Sequence, residues 1–304
     1  MMKRVIITGA NGFIGRNTIK YFIENDVEVI GIVRPNDQTR PIKHSLIKYY
    51  PLDLAQSAAL IKELPHTGFD AFIHLAWEGS AGNLRFDYSL QMKNALYTVE
   101  ALKVAQVLGC DRFVCAGSIT EKETLLSLET NGGISFPISM YGLGKLVAHT
   151  ICKSVAAEIG IDLIWMILTN VFGENDSSQR FINTTINKFI HNEPLRFSAG
   201  TQYYDFIYIS DAVRAIFLTA QKGKPFGEYL IGSSNAMPLK EFIFQIKKEL
   251  DSDAPLLFDA FSSVNISLPL GVFSTGETEA HTGFKAETPF NDGIRKTYEW
   301  LRNV

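Results

Sequence analysis

Three residues of this 304-residue chain have the types and order needed to move a proton and steer a carbonyl: Ser118, Tyr141 and Lys145. Tyr141-Gly142-Leu143-Gly144-Lys145 places a phenol and an ammonium four positions apart. That is about one helical turn, so on a helix both side chains leave the same face. A phenol is a weak acid, with an ordinary pKa of about 10. A nearby ammonium favours the phenolate and brings the group towards work as a general acid or base. Lysine can also hold ribose hydroxyls. Ser118 follows Cys115-Ala116-Gly117. Its hydroxyl can donate to a carbonyl or alkoxide beside Tyr141, with Thr120 as a neighbouring substrate contact. Taken alone, Ser118 reads equally as a turn or N-cap serine.

A second group suits a dinucleotide. Thr8-Gly9-Ala10-Asn11-Gly12-Phe13-Ile14-Gly15 follows an apolar run and opens a helical pattern. Gly9 permits a tight turn, Gly12 lets backbone approach a pyrophosphate, and Gly15 lets helix and strand pack closely. Asn11, Phe13 and Ile14 complete the loop. The helix N-terminus behind it offers free N–H groups and the positive dipole end to phosphates.

These residues must be held by a scaffold, and the sequence alternates short β-branched runs with longer helical patterns. Strands are predicted at Arg4–Thr8, Val27–Val33, Leu46–Tyr50, Ala71–Leu75, Arg112–Ala116 and Leu163–Leu168. Helices are predicted at Phe13–Asn25, Arg85–Leu108 and Tyr141–Ile159. Such alternation implies an α/β fold, a Rossmann-type doubly wound parallel sheet with crossover helices on both faces. The rhythm breaks after Gly173. Further helices are predicted at Asp211–Gln221, Leu239–Leu250 and Asp292–Arg302. The expected layout is a dinucleotide-binding domain from 1–173 plus about 206–232. A smaller mixed α/β C-terminal substrate lobe is expected from 174–205 and 233–304. Ligands of such sheets bind at the carboxyl ends of the strands, where Ser118 lies.

The glycine spacing and the Ser–Tyr–Lys order resemble the extended short-chain dehydrogenase/reductases, the NAD-dependent epimerase/dehydratase family. Other matches come in the family's order: Asp53-Leu54 after strand three, His74-Leu75-Ala76 ending strand four, and Asn94 in the following helix. The resemblance implies that Asp53 meets the adenine and that Leu75, Ala76 and Asn94 lie along the cofactor. Singly, Asp53 reads as a helix cap and His74 as a core histidine. The resemblance covers roughly 3–232 well and the C-terminal lobe loosely. Asn170-Val171-Phe172-Gly173 and Asp205-Phe206-Ile207-Tyr208-Ile209-Ser210-Asp211 are similar to stretches of nucleotide-sugar enzymes, which implies that Asn170 approaches a substrate diphosphate. The arginine that the family carries before this Asp is Tyr204 here. Arg180 and Arg196 are candidate replacements. Family 4,6-dehydratases carry Thr-Asp-Glu where this chain has Ser118-Ile119-Thr120. Ile119 cannot transfer a proton, so dehydration is not expected.

Strand two bears on the cofactor. NAD-specific enzymes place an acid at its end to bond the ribose 2′-OH. Here Val33 stands there and Arg34 follows, a guanidinium suited to a 2′-phosphate. The expected cofactor is NADP, with NAD as the alternative. That preference favours a reductase, which takes fresh reduced cofactor, over an epimerase that recycles its own NAD. The stretch with Trp77, Glu78, Gly79, Ser80, Asn83, Arg85 and Asp87 resembles bacterial nucleotide-sugar 4-ketoreductases such as CDP-abequose and CDP-paratose synthases. It reads equally as a surface loop with a buried Trp anchor. On the first reading Trp77 walls the nicotinamide pocket and Arg85 reaches a substrate phosphate. The expectation is reduction of a 4-keto group on a nucleotide-linked sugar. The alternatives are 4-epimerisation and, in a different class, non-catalytic dinucleotide sensing, against which the Ser–Tyr–Lys set argues.

Composition agrees with an intracellular enzyme. Apolar residues make up 46%, enough for a sizeable core. The net charge of −3 provides no basic field for nucleic acid. The three cysteines, Cys110, Cys115 and Cys152, show no paired or metal-ligand spacing, and no metal site is expected. Neither a signal-peptide core nor a membrane span is visible. A soluble, cytoplasmic protein is expected. The family resemblance also implies a homodimer, through helices 85–108 and 141–159.

Overall fold

The computed structural model describes residues 2–37, 39, 41–130, 140–260 and 266–303. The first part alternates β1 (Arg4–Thr8), α1 (Phe13–Glu24), β2 (Glu28–Val33), β3 (Ile47–Pro51), α2 (Leu60–Glu63), β4 (Ala71–His74), α3 (Tyr88–Val107), β5 (Arg112–Ser118), α4 (Thr120–Thr130), α5 (Met140–Ile159) and β6 (Asp162–Leu168). Then follow β7 (Asn170–Phe172), α6 (Phe181–Ile190), β8 (Leu195–Arg196), β9 (Tyr203–Tyr204), β10 (Phe206–Tyr208), α7 (Ile209–Lys222) and β11 (Glu228–Ile231). β12 (Met237–Pro238), α8 (Leu239–Glu249), β13 (Leu256–Leu257), α9 (Gly276–Thr282) and α10 (Phe290–Leu301) complete the chain.

The main sheet has seven strands in the order β11-β6-β5-β4-β1-β2-β3, paired in parallel throughout. This is the doubly wound α/β architecture that the alternating pattern implies. Side-chain alternation along the strands sorts the core into two layers. Val5, Ile7, Val29, Ile73, Val114 and Ile164 face one side, where Phe22 of α1 and Phe217 of α7 meet edge to face. Ile6, Ile30, Phe72, Phe113, Leu163 and Trp165 face the other, against Val99 and Leu102 of α3 and Ala148 and Cys152 of α5. Burial on both faces explains why the strands read as continuous apolar runs. Between β1 and β4 the strand order reverses, which opens a crevice at their carboxyl ends.

β10 pairs with β7, β12 with β9 and β13 with β8, in small two-stranded units off the main sheet. Asp211 ties this region together by accepting from the Glu287 and Thr288 amides at 3.1 and 2.7 Å. The buried Asp205 accepts from the Ser233 amide at 2.8 Å and from its hydroxyl. Burial raises the Asp205 pKa, against the pull of those bonds.

Two elements differ from the sequence reading. The helix expected from Arg85 begins at Tyr88, because the Asp87 carboxylate accepts from the Leu90 amide at 3.0 Å and caps it there. Gly82–Phe86 forms a separate 3-10 turn. Helix α4 was not expected: its sequence, Thr-Glu-Lys-Glu-Thr-Leu-Leu-Ser-Leu-Glu-Thr, has a thin apolar stripe. The three cysteines are buried and unbridged, and burial pushes the Cys110 and Cys152 thiols up to about 12. Among the described residues no helix is long and apolar enough to cross a membrane, and no acidic, histidine or cysteine cluster suits a metal.

Candidate active site

Two adjoining clefts run along the carboxyl edge of the sheet, of about 550 and 350 Å³. Ile14, Leu75, Trp77, Ser80 and Arg180 line both, so they form one continuous groove.

The larger cleft lies over the β1–α1 turn. It is lined by Gly9, Asn11, Gly12, Phe13, Ile14, Gly15, Arg34, Asp53, Leu54, Leu75, Ala76 and Asn94. Gly9 has φ +70°, and a Cβ there would lie 2.9 Å from the Ala76 amide nitrogen. A Cβ on Gly15 would lie 2.0 Å from the Gly9 carbonyl oxygen. Only glycines let β1, α1 and the β4 end converge so closely. Gly12 is the N-cap of α1 and supplies no side-chain cap, so the first-turn amides face the cleft for an anion. The buried Asn11 Oδ1 has no partner, an acceptor left for a ligand. A dinucleotide therefore fits this cradle: a glycine-floored turn, unspent amide donors and a cleft with both apolar and polar walls.

At the end of β2, Val33 is half-buried and the Arg34 side chain is 76% exposed, with Nη1 3.9 Å from Glu78 Oε1. Asp37 lines the same cleft, a residue the sequence reading did not single out. Burial works against its carboxylate, but hydrogen bonds from Thr39 and Asn11 and the Arg34 guanidinium outweigh it and hold the pKa below the usual range. Asn94 clamps the β4 loop, accepting from the Glu78 amide at 3.1 Å and donating to its carbonyl at 2.9 Å. Asp53 both lines the cleft and caps the following turn, accepting from the Ala55 amide at 3.0 Å. His74 does not reach the cleft. It is buried, with Nδ1 2.9 Å from Thr8 Oγ1 and Nε2 3.2 Å from Thr98 Oγ1, tying β1 and β4 to α3. Burial first, and the Lys145 charge second, lower its pKa to about 3, so it is a neutral core histidine.

The smaller cleft gathers Ser118, Thr120, Tyr141, Lys145, Trp77, Arg85, Asn170 and Arg180. Tyr141 and Lys145 sit at the start of α5, and Gly142 between them is a packing residue. A Cβ there would lie 2.1 Å from Thr124 Oγ1, so glycine lets α4 lie against α5. The buried Lys145 ammonium donates to the Ala116 carbonyl at 2.6 Å and lies 3.8 Å from the Trp77 ring centre. Trp77 meets Tyr141 edge on at 6.0 Å, and the Arg85 guanidinium carbon lies 4.7 Å from the Tyr141 ring centre. The buried Arg85 Nε has no partner. Trp77 is fixed through its Nε1–H to Gln91 Oε1 at 2.8 Å, and Gln91 Nε2 donates to the Gly79 and Leu84 carbonyls at 3.2 and 2.8 Å. Gln91 is thus the hub of the strap over the cleft. No short motif announces it, only its position on the buried face of α3.

Ser118 terminates β5. Its Oγ accepts from the Thr120 amide at 3.3 Å and from the Thr120 hydroxyl at 2.9 Å. With both lone pairs engaged, its own proton is directed away, available to an acceptor in the cleft. Asn170 Nδ2 donates to the Asp205 carbonyl at 3.1 Å. Arg180 donates to Ser80 Oγ at 3.3 Å where the two clefts join. Arg196 is exposed and lines neither cleft, so of the two candidate replacements only Arg180 is in place. Tyr204 occupies the wall where the family carries arginine. Burial, with Glu123 adding and Arg85 opposing, pushes its phenol up to about 12.

Residues 5–232 match the family model described as the NAD dependent epimerase/dehydratase family. The chain is 24% identical over 314 residues to dTDP-4-dehydro-6-deoxyglucose reductase of Escherichia coli, covering 98% of this chain and 97% of that one. UDP-N-acetylglucosamine 4-epimerase from Methanobrevibacter ruminantium M1, solved with UDP-N-acetylmuramic acid, superposes with a TM-score of 0.82 at 21% identity over 99% of both chains. UDP-glucuronic acid 4-epimerase from Bacillus cereus, solved with UDP-glucuronic acid and NAD, gives 0.79 at 19% identity over 99% of both. The chain belongs to the NAD-dependent epimerase/dehydratase family and is an enzyme of the extended short-chain dehydrogenase/reductase type.

Proposed function

We propose that this member of the epimerase/dehydratase family reduces the 4-keto group of a nucleotide-linked deoxysugar, with NADPH as the preferred reductant. The cleft over Gly9, Gly12 and Asn94 would hold the dinucleotide, whose reduced nicotinamide would be the source of hydride. Tyr141 then gives the phenolic proton to the alkoxide oxygen, and the Lys145 ammonium favours the phenolate left behind. Ser118 orients the carbonyl, because its oxygen is already saturated by Thr120 and only its proton is free to point at the substrate. Trp77 walls the site, and Thr120, Asn170, Arg85 and Arg180 line the substrate side.

The observation that carries reduction over epimerisation is the end of β2. Val33 cannot accept from a ribose diol, and the Arg34 side chain projects, largely exposed, at the mouth of the larger cleft. The alternative reading, a 4-epimerase retaining NAD, draws support from Asp37, a carboxylate in the same cleft that could accept from ribose hydroxyls. The E. coli relative is named for reduction and the superposed structures for epimerisation, so the family admits both. The test is to incubate the purified enzyme with dTDP-4-dehydro-6-deoxyglucose and follow NADPH absorbance. Stoichiometric NADPH loss supports the reductase. Tightly retained NAD with isomerisation of a UDP-sugar and no net NADPH use would replace it by the epimerase.

The chain also acts, on this reading, as a homodimer. Tyr88, Met92, Leu96 and Ile151 expose apolar side chains on α3 and α5, the helices that the family resemblance puts at a two-fold interface.

A further inference from the structure

Behind Ser118 lies a buried acid that the chemistry above does not use. Glu121 is 1% exposed, at the first turn of α4. Its Oε1 accepts from the Ser118 backbone amide at 2.8 Å. Trp165 Nε1 lies 3.2 Å from both of its carboxylate oxygens. Its Oε2 is 3.1 Å from His149 Nδ1. His149 lies flat on Trp165, with ring centres 4.3 Å apart and planes 2° from parallel. Its Nε2 is 3.5 Å from Glu228 Oε1 on β11, and Glu228 meets Lys122 and Lys153 at 3.3 and 3.5 Å. Tyr141, Lys145 and His149 are spaced four apart, so one face of α5 carries the proton donor, its cation and this imidazole.

The sheet is shaped to admit the carboxylate. A Cβ on Gly117 would lie 2.2 Å from Trp165 Nε1 and 2.6 Å from Glu121 Oε1. Ser118 and Glu121 form a reciprocal pair of the capping-box kind: the serine oxygen takes an amide of the helix start, and the glutamate takes the serine amide. An ordinary cap of this kind stands in solvent. Here the glutamate is buried while Ser118 is half-buried at the cleft, and the capped residue is the one given the carbonyl-orienting role above.

We propose that Glu121 is a positioning residue for Ser118, steadied by the His149–Glu228 bridge, so that the Ser118 hydroxyl is fixed in the direction needed by the reacting carbonyl. This rests on the role given above to Ser118. The chemistry requires an acceptor at Oε1, not a charge as such. The Gln side chain can keep that acceptor, whereas Leu, of similar size, cannot. Ser118 loses its amide partner in Glu121→Leu, and the turn carrying the hydroxyl is no longer fixed.

The test has a catalytic arm and a substrate-free arm. In the first, NADPH oxidation is measured with dTDP-4-dehydro-6-deoxyglucose. Glu121→Leu is expected to lower kcat by about ten- to a hundredfold, the range of one lost charge-assisted bond, with KM and NADPH affinity little changed. Glu121→Gln is expected to recover most of the turnover. A cap that served only helix stability would lower the melting temperature and leave kcat per folded molecule unchanged. In the second arm, amide hydrogen exchange at Ser118 is followed by NMR of the apo chain, and Glu121→Leu should accelerate it at least tenfold. Should Glu121→Leu fail to fold, His149→Phe keeps the stack on Trp165 while cutting the tie to Glu121. It should lower kcat and accelerate the same amide. Wild-type kcat in a folded Leu variant, or in the Phe variant if that one must serve, overturns the proposal, as does equal damage by Gln and Leu. If the wild-type chain reduces no ketosugar, the functional reading fails on its own account. Faster exchange at Ser118 then still upholds the tie to Glu121, and unchanged exchange overturns it.

Discussion

Replacing Arg34 by alanine should weaken NADPH far more than NADH. The guanidinium stands at the mouth of the larger cleft, 76% exposed, and its nearest charged partner is Glu78 at 3.9 Å. An exposed pair of that length contributes at most about 1 kcal/mol, so little is lost when a 2′-phosphate displaces Glu78. A charge-assisted bond from the guanidinium to the phosphate contributes about 1.5–3 kcal/mol. The difference, about 0.5–2 kcal/mol, predicts that the wild type favours NADPH over NADH by about two- to thirtyfold. Arg34→Ala should abolish most of that preference. Glu78→Gln removes the competing carboxylate and should strengthen NADPH by about two- to fivefold. Val33→Asp should reverse the preference, by repelling the phosphate and accepting from the diol. The assay is titration of NADPH and NADH fluorescence with each variant, repeated at high salt, where the Arg34 contribution should shrink. Equal dissociation constants in the wild type, or NAD carried through purification, would refute the reasoning and assign the ribose to Asp37 instead.

Further outcomes follow from the same geometry. Tyr141→Phe should lower kcat by about 10²–10⁴-fold while NADPH affinity persists, checked by single-turnover reduction and fluorescence titration. His74 has a folded pKa of about 3 against an ordinary 6.5, so below 6.5 the unfolded chain takes up a proton that the native chain refuses. Its stabilisation is complete above about pH 6.5 and is lost as pH falls towards 3, at about 1.4 kcal/mol per pH unit. Urea unfolding of His74→Gln beside the wild type should therefore show a flatter pH dependence across that window; parallel curves would remove the assignment. Light scattering at micromolar concentration should give a dimer, and Leu96→Glu with Ile151→Glu should shift it towards monomer.

The parts legible in the sequence are those that one element encodes by itself. A helix face carries Tyr141 and Lys145, and one strand-turn-helix unit carries Gly9, Gly12 and Gly15, so spacing alone places them. The parallel sheet follows from runs of Val and Ile that are buried on both faces. The strap over the smaller cleft was not legible, because Gln91 acts through three bonds to Trp77, Gly79 and Leu84 that only the folded chain brings together. Asp37 was missed for a similar reason: it lies beyond the end of β2, where the strand pattern has ended and only the loop's path returns it to the cleft. His74 shows the opposite case, a motif residue whose position suggested the cofactor and whose burial assigns it to the core.

The two halves of the groove divide the work by stiffness. On the sheet side, each group is held by regular structure: amides at the α1 N-terminus, Ser118 at the β5 end, Tyr141 and Lys145 on the first two turns of α5. Dinucleotide and carbonyl chemistry is common to the family, and rigid elements hold such groups with the least variation. The substrate side is built from the 3-10 turn bearing Arg85, the segment bearing Arg180 and the short strand bearing Tyr204. Irregular backbone of this kind accepts substitution cheaply. The exchange of the family's arginine for Tyr204 falls there, and among the described residues it leaves Arg85 and Arg180 as the cations of the smaller cleft besides Lys145. A diphosphate brought to this wall must be met by those two guanidiniums, one free at its buried Nε and one resting lightly on Ser80. Substrate choice should therefore follow these two arginines and Tyr204, while the reaction type follows the sheet edge.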